Sequence, residues 1–152
     1  MTLQYTDIFS AFLSKCTDPS FLEQDEDFVY ESMREWLHSA VSIPHIRKIF
    51  SALNLDDELM EFEFELNTSV DEVSDRDFVI EILSKGLVIK WLEPQVNSKL
   101  HISQFFGGKE QRWFSQAQHL SELKSMLADA KTELKKMIRD YGYINNSYTT
   151  EV

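Results

Sequence analysis

The sequence predicts a mainly α fold: a helical bundle with one long C-terminal helix, a short β segment or hairpin near 60–66, and an extended C-terminal tail. Three observations carry this. Leu120, Leu123, Leu127, Ala130, Leu134, Met137 and Tyr141 step by three and four, which is a heptad seam along a long helix. Met60, Phe62, Phe64 and Leu66 alternate with Glu61, Glu63 and Glu65, the period of two that belongs to a half-buried strand. Past Gly142, YINNSYTTEV has no packing period. A chain of 152 residues has room for one domain with one sizeable core. The expected division is a helical domain over 1–142 and a tail over 143–152.

Each element has its own signal. Thr6 is the expected N-cap of a first helix, with Asp7 in the turn where the helix dipole favours an anion. Ile8, Phe9, Phe12, Leu13 and Cys16 give that helix one apolar face. Thr17-Asp18-Pro19-Ser20 reads as a turn. A second helix is expected from about Asp25 to Ser42, striped by Val29, Met33, Trp36, Leu37, Ala40 and Val41 and ended by Ser42-Ile43-Pro44. His45 to Leu53 reads as a further short helix before the acidic loop Asp56-Asp57-Glu58. MEFEFEL at 60–66 then forms a small hairpin or pairs with a neighbouring subunit, its glutamates discouraging accidental edge pairing. The next helix is expected after Ser74, where SDRD has capping-box spacing with Asp77 in the glutamate position. FVIEILSKGLVIKWLE is apolar over most of its circumference, which points to central burial. Gly86 costs that helix about 1 kcal/mol relative to alanine, a cost that close helix packing would explain. Pro94 is expected to end it, leaving 95–106 as an irregular or partly helical connector. Gly107 and Gly108 make a hinge, Ser115 caps the last helix, and Gly142 closes it.

The formal charge is −11, unevenly spread. Residues 1–84 carry 5 basic and 19 acidic side chains, a net of −14, while residues 85–152 carry 10 and 7, a net of +3. Such an acidic half repels free duplex, so sequence-specific DNA binding is not expected. Opposite halves favour self-association or an oriented partner; a solvated acidic face is the plainer reading. The sequence holds no run of about 18 apolar residues, the length that could cross a bilayer. The start MTLQYTDIFS lacks the basic flank and apolar core of a signal peptide. Cys16 is the single cysteine, consistent with a reducing compartment.

Chemistry-bearing patterns are absent. Gly107-Gly108-Lys109 lacks the spacing of a nucleotide-binding loop. His38, His45, His101 and His119 form no metal-ligand spacing. Cys16 sits on an apolar helix face, where burial is the common fate. The glutamates of MEFEFEL have no second carboxylate with which to do acid–base work. Neither catalytic residues, nor a metal, nor a cofactor is expected. Arg112-Trp113-Phe114 stands out instead, because arginine and tryptophan dominate interface hot spots; core packing is the competing use. The heptad seam has the same two readings, packing within its own bundle or between subunits.

VIEILSKGLVIKWLEPQVNS at 79–98 and FGGKEQRWFSQAQHLSELKSML at 106–127, with the order of elements around them, resemble the head–tail connector (adaptor or neck) proteins of tailed bacteriophages. Trp91-Leu92 matches the end of the buried helix in that family, and Phe114-Ser115-Gln116-Ala117 the aromatic segment that opens its long helix. The resemblance implies a structural virion protein of the neck, made in the host cytoplasm. It implies a ring of about twelve copies with closed cyclic symmetry. Its partners would be itself, the portal protein and a stopper or tail completion protein, with DNA only as passing cargo and no membrane. The expected protein interface comprises Arg112, Trp113, Phe114, Gln116, Tyr141, Tyr143, Ile144 and Tyr148. The alternative is an acidic cytoplasmic protein-binding adaptor or regulator acting through the same aromatic loop.

Overall fold

A helical layer laid across one face of a small sheet organises the chain. The computed structural model describes residues 1–16, 23–105 and 110–144, with side chains at 1–16, 23–97 and 118–142. The elements run β1 (Thr2–Gln4), α1 (Tyr5–Lys15), α2 (Glu26–Val41), α3 (Pro44–Arg47), β2 (Phe50–Asp56), β3 (Glu61–Leu66), α4 (Glu72–Phe105) and α5 (Glu110–Ile144). The mainly helical fold and the long C-terminal helix are as expected.

The sheet is larger than the sequence suggests. Its order is β1-β3-β2, both pairings antiparallel. The acidic strand is thus the centre of an intramolecular sheet, pairing Leu55 with Phe62, Leu53 with Phe64 and Leu3 with Phe62. Phe62 and Phe64 are buried, and Glu63 and Glu65 are exposed. Phe50 meets both phenylalanines edge-on at 5.6 and 5.8 Å between ring centroids, a geometry aromatic quadrupoles favour. The helix expected over 45–53 is confined to Pro44–Arg47; Phe50 onward extends because β3 offers a full ladder. Thr6 is not the first cap. Thr2–Gln4 is a strand that runs straight into α1, so Gln4 occupies the cap position, and the Tyr5 N–H donates to the Met60 carbonyl at 2.9 Å. Met60 itself has φ of 57°, a left-handed turn conformation that costs an L-residue about 1–2 kcal/mol.

α2 matches its expected bounds, with Asp25 and Ser42 flanking it. α4 begins earlier than expected. Asp71 precedes it and accepts the Ser74 N–H and hydroxyl, each at 2.8 Å. Ser74 is therefore the donor inside the first turn and Asp71 the cap. Gly86 has the close-packing reason that the sequence implied: a Cβ there would lie 2.9 Å from the Ala40 Cβ and 3.0 Å from the Ile46 Cδ1. Pro94 does not end α4, which continues to Phe105. The ring removes one backbone donor, and nearby the Gln95 Nε2 donates to the Trp91 carbonyl at 3.1 Å.

α5 likewise exceeds its expected bounds. Ser115 lies inside it and not at its cap, and Gly142 is helical, the helix running on through Tyr143 to Ile144. Gly142 needs no special backbone conformation, since among the described residues no glycine has positive φ. The helix thus runs past the expected boundary at 142, and the rest of the expected tail, Tyr148 included, lies outside the described residues.

The main core is assembled from α1, α2, α3, all three strands, α4 and the second half of α5. Tyr5, Phe12, Phe62, Leu37, Ile82 and Leu87 are among its fully buried side chains. Phe12 is met edge-on by Trp36 and Trp91, at 5.8 and 6.3 Å. The seam of α5 closes against its own chain: Ala130 and Leu134 are buried in this core, with Leu127 and Met137 packed on it. Of the two readings of the seam, packing within its own bundle accounts for its described side chains.

Candidate functional site

Among the described side chains, the buried residues of the main core reach Ile89 on α4 and begin at Ala130 on α5. A second, smaller cluster of Leu92, Val96, Leu120 and Leu123 is contributed by these two helices alone, with Val88, Trp91 and Leu127 bridging it to the first. Beyond Leu92, α4 has thirteen more residues to Phe105, roughly 20 Å of helix at 1.5 Å per residue. α5 begins at Glu110, ten residues before Leu120. The result is a two-helix arm built from the end of α4 and the start of α5. A helix stripe needs something to pack on, and among the described side chains Leu92 and Val96 pack on Leu120 and Leu123.

Arg112, Trp113, Phe114 and Gln116 fall on the first two turns of α5, within this arm. Their side chains, like those of Ser115, Tyr143 and Ile144, are outside the described set, as are Gly107 and Gly108 altogether. Tyr141 sits at the opposite end of α5. Its ring stacks on Phe78 with centroids 3.8 Å apart and planes 4° from parallel. Its hydroxyl donates to the Asp75 carboxylate.

Asp75 is one of two buried polar residues among those described, at 2% exposure. It accepts from the Ser69 hydroxyl, the Tyr141 hydroxyl and the Val70 N–H, the last at 2.9 Å. Burial by itself would raise its pKa, but the three donors outweigh burial and hold the carboxyl below the usual range. Burial, with Asp75 as acceptor, pushes the Tyr141 phenol well up. This knot ties the loop before α4 to the last turns of α5. Beside it lies a cavity of about 260 Å³ between Lys48, Asn67, Phe78, Ile138 and Tyr141.

A second knot closes the hairpin turn. Asp57 accepts from the Tyr5 hydroxyl at 2.7 Å and pairs with the His38 Nε2 at 2.8 Å. The bond from Tyr5, then that from His38, hold the Asp57 carboxyl below its ordinary range. Burial, then Asp57, push the Tyr5 phenol up. Both knots join elements far apart in sequence and leave their carboxylates occupied.

Two charged surfaces complete the picture. One is the outer face of the sheet, where Glu61, Glu63 and Glu65 project from the central strand and Gln4 donates to Glu61 at 2.9 Å. The other is a groove of about 320 Å³ between the end of α2, α3, α4 and α5, lined by Lys90, Lys131 and Lys135 around Glu93. Lys90 approaches Glu93 at 3.4 Å and Lys131 at 3.9 Å.

Sequence reasoning missed Asp75, Asp57 and this groove. The spacing of Lys131 and Lys135, one helical turn apart, was the available signal for the groove; nothing local announces that Asp75 meets Tyr141 across 66 positions. Among the described residues no three His, Cys, Asp or Glu side chains are placed to hold a metal ion, and no helix is long and apolar enough to cross a membrane. No family model matches the chain, and comparison with curated proteins and with solved structures finds none similar to it.

Proposed function

We propose that this chain is a structural subunit of a phage neck, joining portal to tail through a ring of copies and carrying no catalytic activity. The observation that supports the reading is the two-helix arm. Among the described side chains, α4 and α5 share a second cluster of Leu92, Val96, Leu120 and Leu123 apart from the main core, and both helices run on beyond it. The residues that resemble the connector family's aromatic segment, Phe114 to Ala117, lie on that arm. An arm of this kind suits insertion between other chains, where Arg112 and Trp113 have the chemistry of interface anchors. The charge division between the halves of the chain suits oriented assembly.

Electron microscopy of particles carrying a tagged copy tests the proposal. Label at the head–tail junction is the expected result, together with co-purification of the portal protein. A chain that is missing from purified particles, or that labels the capsid shell or tail tip, overturns it. A defined one-to-one complex with a host protein, formed through the same arm, would favour the adaptor reading instead.

A further inference from the structure

The lysine groove and the glutamate face have matching spacing as well as opposite sign. On β3, Glu63 and Glu65 point the same way, about 7 Å apart. On α5, Lys131 and Lys135 are one turn apart on one helix face, roughly 6 Å. Glu63 and Glu65 are exposed, and neither makes an ion pair among the described residues. The groove holds three lysines against the single Glu93, in a chain whose net charge is −11. Lys135 has no ion pair among the described residues, and Lys131 reaches Glu93 only at 3.9 Å. The groove floor is apolar, with Ile89 and Leu134 each 2% exposed. His45, also on its rim, adds a further donor.

We infer that the lysine groove of one copy receives the glutamate face of a second copy, Lys131 and Lys135 meeting Glu63 and Glu65. The two patches share no residue, so the contact is head-to-tail and leaves a free groove at one end and a free face at the other. Repeated, such a heterologous contact closes into a ring or grows as a filament, according to the rotation per copy. The inference rests on the neck reading only for closure of the ring; the contact itself rests on charge and spacing. Exposed pairs are screened over about 8 Å at physiological salt, so the association weakens steeply as salt rises.

Sedimentation of the full chain at low and high salt, with two charge-reversed variants, tests this. Wild type is expected to self-associate at low salt and dissociate as salt is raised. Lys131→Glu with Lys135→Glu, and separately Glu63→Lys with Glu65→Lys, should each weaken association at least tenfold, with circular dichroism spectra unchanged. Mixing the two variants should restore it, because each then offers the patch that the other lacks. A wild-type chain that stays monomeric at low salt overturns the inference, as does unaltered association of either variant or a mixture that fails to recover. Neck labelling is read independently: a particle that still carries label when this contact is refuted removes the contact and keeps the neck reading.

Discussion

Gly86 illustrates how one residue can be dictated by a neighbour far away in sequence. Within a helix, glycine is about 1 kcal/mol worse than alanine. Here α4 approaches α2 and α3 so closely that an added methyl would meet the Ala40 Cβ at 2.9 Å and the Ile46 Cδ1 at 3.0 Å. Overpacking of that kind costs about 1–3 kcal/mol, more than the propensity gain. Gly86→Ala is therefore expected to lower the urea midpoint; a raised midpoint would mean that the two helices can separate freely. Tyr141 and Asp75 make a second case. Hydrogen bonds to charged groups contribute about 1.5–3 kcal/mol, so Tyr141→Phe should lose that much at neutral pH while keeping the ring stacked on Phe78. The pH dependence follows from the sign of the Asp75 shift. Its folded-state pKa is depressed, so its stabilisation is present above the unfolded value near 3.9 and disappears as pH falls through the folded value. Urea titrations at pH 7 and pH 3 should show a smaller difference for Tyr141→Phe than for wild type. An equal difference would place the acid sensitivity elsewhere.

Among the elements, α5 carries the clearest test of where its seam is satisfied. Leu134 is 2% exposed and Met126 is 49% exposed, although both are apolar residues of one amphipathic helix. Leu134→Ala should cost the isolated chain about 2–5 kcal/mol, and Met126→Ala no more than about 0.5 kcal/mol. If Leu134→Ala left the thermal midpoint of the isolated chain unchanged, the seam would be completed by another chain and not by α4. α4 offers a different test. Pro94 lies within the helix, where proline is worse than alanine by about 3 kcal/mol. Pro94→Ala supplies the missing N–H to the preceding turn and should raise the melting temperature. A lower one would show that α4 needs the proline ring at this position to meet α5.

For the whole molecule, the arm and the charge distribution decide what the protein offers to others. Its stability resides in the core, where sheet and helices bury Tyr5, Phe12 and Phe62 completely. If the neck proposal holds, Trp113→Ala is expected to weaken assembly by about 2 kcal/mol or more while scarcely changing the melting temperature. A lowered melting temperature with normal assembly would return Trp113 to packing between the two arm helices. The legible part of this architecture was its local part. The seam from Leu120 to Tyr141 and the alternation through Phe62 and Phe64 both repeat over enough residues to announce a helix and a strand. β1 and β2 were hidden because neither has a period of its own: Thr2–Gln4 is three residues long, and Phe50–Asp56 is interrupted by an irregularity between Phe50 and Ala52.

Local periodicity and composition thus determined the helical class, the acidic strand, the long C-terminal helix and the division of charge, because each depends on side chains a few positions apart. Tertiary contacts alone decided the rest. They gave β3 two partners, carried α4 past Pro94, closed the seam of α5 on its own chain and buried Asp75 against Tyr141. Such features depend on groups up to 69 positions apart, as in the Arg76–Asp7 pair, and no window along the chain contains both partners.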